Sequence, residues 1–357
     1  MIISLIRGGF ANPFELQNFY PLKGKYDITC FTSQKCIDAN IDLPVKKLLS
    51  PTDFPNFPYK YSLLNRIFPD AHYLLGLESQ LSGTDIAHVA ETYYYYTLQA
   101  IKAREQGRVK KVVSTVWETI PGNNETLSGR KRIKEYTRPR IDHYLAVTQK
   151  AKHALVAEGV NPSKISVCPM GVDLSRFTPN KVNKAVKNLL FVGRLVPEKG
   201  IGETVNAFSQ IAQKYPDISL TVVGTGPLKS IISHPRIFQK SVPYSDVAKI
   251  YQDADIIIAP SKATSTWEEQ FGMVLVEAMA CGIPIITTKT GAIPEVCGPI
   301  ADYVPASSAK ALATHLQTLI NQPQVRYNMS KAGLVRAKAH YDHRQVAKRI
   351  SSIYEHL

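Results

Sequence analysis

The stretch from Asp255 to Thr287 constrains the fold more than any other part of the chain. Asp255-Ile256-Ile257-Ile258-Ala259-Pro260 is a short apolar run closed by Pro-Ser, the pattern of a buried parallel strand and its carboxyl-end loop. The loop that follows carries Trp267, Glu268, Glu269, Gln270, Phe271 and Gly272. Good helix formers then run from Met273 to Cys281, with Gly282 placed to end the helix and Pro284 to bar its continuation. A second apolar run, Ile283 to Thr287, comes next. The order is strand, loop, helix, strand. In such a unit, ligands gather at the carboxyl end of the strand, facing a helix amino terminus whose unpaired amides and dipole attract phosphate. The amides near Phe271, Gly272 and Met273 therefore suit a pyrophosphate. Glu277, roughly one turn into the helix, is placed to accept hydrogen bonds from two ribose hydroxyls, and Glu269 on the loop to meet a sugar. For either Glu alone, an acidic helix start favoured by the dipole is an equal explanation.

Glu269 and Glu277 are separated by seven residues within Glu-Gln-Phe-Gly-Met-Val-Leu-Val-Glu-Ala-Met-Ala-Cys-Gly. This segment resembles the signature of the family 4 glycosyltransferases, retaining enzymes of the GT-B fold. Met170 to Pro179 looks like the family's interdomain segment, Leu190 to Gly200 like its first carboxyl-domain strand and phosphate-binding loop, and Val222 to Leu228 like the next strand turn. The resemblance implies an α/β fold of two Rossmann-like parallel-sheet lobes facing a central cleft. It implies an acceptor-side domain over 1–177, a nucleotide-sugar-binding domain over 178–339, and a helix over 340–357 that packs back on the first lobe. By resemblance Arg194 and Lys199 bind the diphosphate, and Val242 and Pro243 meet the nucleobase through backbone.

The chemistry asks for such cations, because breaking the glycosidic bond of a nucleoside diphosphate sugar builds negative charge on the leaving phosphates. Gly8 and Gly9 follow the first strand, where missing side chains let amides approach a phosphate or acceptor, or simply make a tight turn. Trp267 either walls the sugar or packs the loop. One feature departs from the family: after the strand Val112 to Val116, many relatives carry a His that touches the transferred sugar, and this chain has Trp117-Glu118-Thr119-Ile120-Pro121. His88 is the candidate to contribute instead, against a structural role at its strand end, and Glu118 or Glu91 to serve as acceptor base or hydroxyl ligand. Asp253-Ala254-Asp255 has the spacing of a nucleotide-metal motif, but it precedes its strand at the amino end, away from the ligand edge. No metal and no cofactor is expected.

At 357 residues the chain has the length of about two domains. No signal-peptide core opens it and no apolar run is long enough to span a bilayer, so a cytoplasmic protein is expected. Five cysteines show neither paired nor zinc spacing and read as reduced. The net charge of +14 is spread along the sequence and is densest from Arg130 to Arg140. That cluster reads as a solvated helix face or as a surface touching anionic lipid at the inner face of the membrane. No aromatic platform interleaves with it, so nucleic acid is not the expected partner.

Strands are expected at Ile2 to Ile6, Asp27 to Phe31, Asp85 to Val89, Lys111 to Val116 and Tyr144 to Val147, and a second αβ series from Leu189 to about Tyr303. Pro51 to Pro69 reads as loop and short helices near the acceptor side, Asp173 to Lys187 as the linker, and Tyr93 to Tyr96 is a local aromatic run. Val346, Ile350, Ile353, Tyr354 and Leu357 fall on one helical stripe. The reading is a retaining transferase moving a sugar from a UDP- or GDP-linked donor to a glycan, glycolipid or lipid-linked hydroxyl acceptor. Its rivals are a sugar-nucleotide epimerase of the same architecture and a non-enzymatic basic protein that binds nucleic acid or membrane.

Overall fold

The computed structural model describes residues 1–37, 40–55, 57, 59–68, 70–179 and 185–357. Apolar runs too uniform to alternate become strands covered on both faces, and they sort into two all-parallel sheets. The first unit comprises Met1–Pro169 with Arg344–Leu357. Its strands are β1 (Ile2–Gly8), β2 (Asp27–Ser33), β3 (Val45–Leu48), β4 (Thr84–Ala90), β5 (Val109–Val116), β6 (His143–Ala146) and β7 (Ile165–Val167). They lie in the order β3-β2-β1-β4-β5-β6-β7.

The second unit, Met170–His343, holds β8 (Asn188–Val192), β9 (Ser219–Val223), β10 (Ile237–Lys240), β11 (Ile256–Ala259), β12 (Ile285–Thr288) and β13 (Asp302–Val304). These run β10-β9-β8-β11-β12-β13. Every expected strand is present, and the parallel-sheet α/β reading holds in both units. The strands β3, β7 and β10 were not anticipated; the Val-Lys-Lys-Leu of β3 is largely exposed, as edge strands are.

In each sheet the winding reverses beside the first strand, between β1 and β4 and between β8 and β11. The loops after those strands are where a doubly wound sheet opens a crevice for ligand.

The unit boundaries differ from those expected. The chain leaves the first unit after Pro169 rather than at 177, and returns after His343 rather than at 339. The reason is a short parallel bridge between Val172 and Asp342, in which the Val172 amide donates to the Tyr341 carbonyl at 2.7 Å. It ties both ends of the second unit together. The expected linker is therefore ordered at its start: Phe177 is buried edge-on against Tyr251. Its Asn180 to Lys184 portion lies outside the described residues, as do Asn56, Pro58 and Pro69 of the expected Pro51 to Pro69 loop.

The terminal helix His343–Glu355 completes the core of the first unit. Val346, Ile350 and Tyr354 are buried with Ile3, Leu5, Val113 and Leu145, and Ile353 and Leu357 pack at the margin. Tyr26 donates or accepts a hydrogen bond with Ser351 at 2.7 Å beside them. Because Ile350 is wholly enclosed, Ile350→Ala should destabilise the first unit by about 2–4 kcal/mol, read as a lowered denaturation midpoint.

Candidate functional site

The carboxyl edge of the second sheet is assembled by backbone contacts between loops. After β8 the chain continues to pair with the turn after β9: the Gly193 amide donates to the Val223 carbonyl and Leu195 to Thr225, both at 2.9 Å. At Gly224, with φ +144°, a Cβ would stand 1.9 Å from the Gly193 carbonyl oxygen, so only glycine lets the loops meet. This fixes the base of the segment bearing Arg194 and Lys199. On the other side, Gly291 sits with φ +58° where a Cβ would come within 2.1 Å of the Glu269 carbonyl oxygen, and the next amide, Ala292, donates to that oxygen at 2.8 Å. Glu269 is thus clamped by its own backbone.

Lys199 and Glu269 meet directly. The Lys199 ammonium lies 2.6 Å from Glu269 Oε2, which also accepts from the Ser261 hydroxyl at 3.0 Å. The same ammonium lies 4.9 Å from the centroid of the Trp267 ring, so Trp267 packs on the loop's cation. Arg194 is 60% exposed and touches Glu198 at 3.3 Å, a contact that a stronger anion can readily replace. Gly272 caps the helix Met273–Ala280 with no side-chain hydrogen bond, which leaves amides of the first turn for an incoming anion. Phe271 serves through its backbone position, because its ring is buried edge-on against Tyr341.

Glu277 is buried and held by two tyrosines: Tyr251 donates to Oε2 at 2.7 Å and Tyr244 to Oε1 at 3.0 Å. Burial pushes its pKa up to about 7, against the two hydroxyl bonds and nearby Arg176, which favour the charged form. Tyr244 opens the helix that follows Val242 and Pro243, and Arg176 binds its carbonyl at 2.7 Å while lying over its ring. The segment expected to meet the base is therefore joined to the residue expected to meet the ribose. Neither tyrosine was anticipated. Their seven-residue spacing, which puts both on one helix face, is the signal that could have found them. Asp255 lies at the amino end of β11, accepting from the Lys187 and Asn188 amides at 2.8 and 2.9 Å, so its carboxylate ties backbone together.

In the first unit, Gly8 ends β1 and Gly9 follows it in a tight turn, with the Phe10 amide donating to the Arg7 carbonyl at 3.0 Å. Arg7 itself is fully buried, paired with Glu15 at 2.7 Å and bonded to the His88 carbonyl. No sequence pattern distinguishes it from a surface arginine. His88 is a correction to the sugar-contact reading: it is fully buried, with Nδ1 against the Tyr354 hydroxyl and Nε2 against Thr115 Oγ1 at 2.7 Å. It fastens the terminal helix. Glu118 is likewise turned inward, accepting from the Thr119 and Ile120 amides and from the Asn123 and Asn124 side chains, so it shapes a loop rather than facing an acceptor.

Glu91, just past β4, has φ +59°, a strained conformation for a side chain of this kind. Its Oε1 accepts from the Trp117 and Glu118 amides at 2.8 and 3.2 Å, while Oε2 is buried with no partner among the described residues. The Arg130 to Arg140 cluster is also a correction. Arg130 grips Asp70 at 2.9 Å, Lys134 is buried against Glu158 at 2.6 Å, Arg138 meets Glu158 at 3.1 Å, and Arg140 meets Glu105 at 3.4 Å. Much of its charge is spent inside the unit, so the run as a whole is not a free cationic face.

Burial raises the Glu91 pKa to about 8, partly opposed by the amide of Trp117. The folded state therefore holds a proton that the unfolded chain releases near pH 4.5, and stability falls as pH rises between those values. Glu91→Gln should match the wild type at pH 4 and exceed it by on the order of 3–4 kcal/mol at pH 9, measured by denaturant unfolding at both.

Residues 26–176 match the family Glycosyltransferase Family 4, and residues 175–336 match Glycosyl transferases group 1. The chain is 28% identical over 235 residues to a component of the human phosphatidylinositol N-acetylglucosaminyltransferase, covering 60% of this chain and 46% of that protein. It is 28% identical over 286 residues to the GDP-mannose-dependent monoacylated alpha-(1-6)-phosphatidylinositol monomannoside mannosyltransferase of Corynebacterium glutamicum, covering 72% of this chain and 73% of the relative. The matched region thus spans about half the length of the human relative. Among solved structures, Anabaena HepE in complex with UDP and glucose shares the fold with a TM-score of 0.80 at 16% identity, covering 100% of this chain and 99% of that one. With both sheets, the paired glutamates and the glycine-joined loops in place, the chain belongs to the family 4 glycosyltransferases of the GT-B fold.

Proposed function

We propose that the protein transfers a sugar from a UDP- or GDP-linked donor to a hydroxyl of a glycan, glycolipid or lipid-linked acceptor, with retention at the anomeric carbon and without a divalent metal. The observation that carries this is the Lys199–Glu269 pair, 2.6 Å apart at the winding reversal of the second sheet and beside a helix start that no side chain caps. The donor's diphosphate takes Arg194, the first-turn amides of the helix Met273–Ala280 and one face of Lys199. Glu269 then orients the sugar hydroxyls. Glu277 retains lone pairs beyond those used by its two tyrosines and receives the ribose hydroxyls. The bond from the anomeric carbon to the β-phosphate oxygen breaks, the acceptor oxygen bonds to the same face of that carbon, and its proton passes to the departing phosphate. Fixed positive charge at that phosphate lowers the barrier and replaces the role a metal would have.

The phosphatidylinositol named for two relatives supports a lipid-type acceptor, and the relatives leave the base open, since one is named GDP-mannose-dependent while HepE binds UDP. A cytoplasmic protein with peripheral contact at an anionic membrane fits such an acceptor.

Purified protein incubated with UDP- and GDP-sugars and with inositol, glycan or glycolipid acceptors should form an anomer-retaining product, undiminished by EDTA. Glu269→Ala and Lys199→Ala should each abolish it, and full activity in both would overturn the assignment. Glu277 supplies a pH test. Below about pH 7 its carboxyl takes up a proton and loses acceptor capacity, so nucleoside diphosphate affinity should fall as the pH is lowered through that value, whereas Glu277→Gln should bind weakly and without that slope, as measured by calorimetry.

A further inference from the structure

Large apolar side chains are left in solvent on one side of the first unit. Leu63 and Ile67 are 48% and 64% exposed, and their spacing of four places both on one outward face of the helix Lys60–Ile67, which Tyr59, 85% exposed, precedes as its N-cap. Leu64, on another face, is buried. Phe54, whose carbonyl accepts from Lys60 Nζ at 2.6 Å at the start of this helix, is 54% exposed. A surface helix ordinarily turns its apolar stripe inward, and an exposed contiguous patch marks a contact surface.

The stripe ends at a groove of about 540 Å³ formed with the helices Tyr95–Glu105 and Ser128–Thr137. Ile67, Phe68, Leu98 and Ile133 supply apolar walls, and Lys102 and Arg132 are exposed on the same lining. Among the described residues neither cation has a carboxylate partner, unlike Arg130, Lys134 and Arg138 close by. Apolar walls beside uncompensated, long-stemmed cations match the layering of a bilayer interface, where hydrocarbon lies next to phosphate. Among the described residues no helix is long and apolar enough to cross a membrane.

We propose that this groove and stripe dock on an anionic lipid bilayer, with Leu63, Ile67 and the groove walls taking hydrocarbon and Lys102 and Arg132 meeting lipid phosphate. This moves the membrane contact away from the Arg130 to Arg140 run, and it does not depend on the transferase reading.

The full chain is floated with vesicles of phosphatidylcholine alone and of equimolar phosphatidylcholine and phosphatidylglycerol, at physiological salt. The anionic vesicles should carry it and the neutral ones should not. Lys102→Gln with Arg132→Gln should lower the partition coefficient roughly thirtyfold, at about 1 kcal/mol per basic residue near the surface. Lys102→Arg with Arg132→Lys should restore it, and Leu63→Ser with Ile67→Ser should lower it without changing the melting temperature. A remote pair, Lys214→Gln with Lys310→Gln, should leave partitioning close to the wild type. The proposal is overturned if the wild type stays with the buffer, if the groove pair floats like the wild type, if the remote pair loses as much, or if short-chain phosphatidylglycerol binds as monomer while vesicles do not.

Discussion

Contact between Lys199 and Glu269 is the interaction on which the candidate site depends. The side chains are 19% and 12% exposed, so each has lost most of its water and is compensated mainly by the other. Removing either one strands its partner. The pair also explains how a loop cation can be kept ready without an anion bound: the ammonium is neutralised in place, stacked on Trp267, and needs only a shift of partner when phosphate arrives. Glu269 can be relied on as that counter-ion because its backbone is pinned from the Gly291 side. A site of this kind is preorganised by main-chain contacts, which survive changes in side-chain protonation.

Several of these parts were legible in the linear sequence, for physical reasons that can be named. β1, β4, β8 and β11 are central, covered on both faces, and so written as continuous apolar runs. Glu269, Gly272 and Glu277 belong to one local segment whose turn and helix chemistry is self-contained. β3, β7 and β10 escaped notice because they lie at or beside sheet edges, are short and only partly enclosed, and carry the lysines and small polar residues that such positions tolerate. The fates of His88, Glu118 and Lys134 were also hidden, since each depends on a partner from another segment: Tyr354 and Thr115, two asparagines of the next loop, and Glu158. Periodicity reports which face a residue is on. It does not report what waits there.

The charge of the chain teaches the same lesson at a larger scale. A formal excess of +14 looks like an invitation to any polyanion. Within the Arg130 to Arg140 run, however, Arg130, Lys134, Arg138 and Arg140, four of the six cations, are bound to Asp70, Glu125, Glu158 and Glu105. What is left to act outward is a smaller set of cations, defined by the absence of a carboxylate neighbour and by the company of exposed apolar side chains. Composition counts both sets alike, and only geometry separates them.

The last helix belongs to the core of the unit that begins the chain, while the second unit is one uninterrupted segment between. During synthesis, the middle portion can therefore finish first, even though the opening portion leaves the ribosome before it. Until Val346, Ile350 and Tyr354 arrive, β1 and β5 present an uncovered apolar face in a nascent chain. That interval is when a chaperone would find this protein most in need of shelter, and a chain truncated after His343 would remain in that condition.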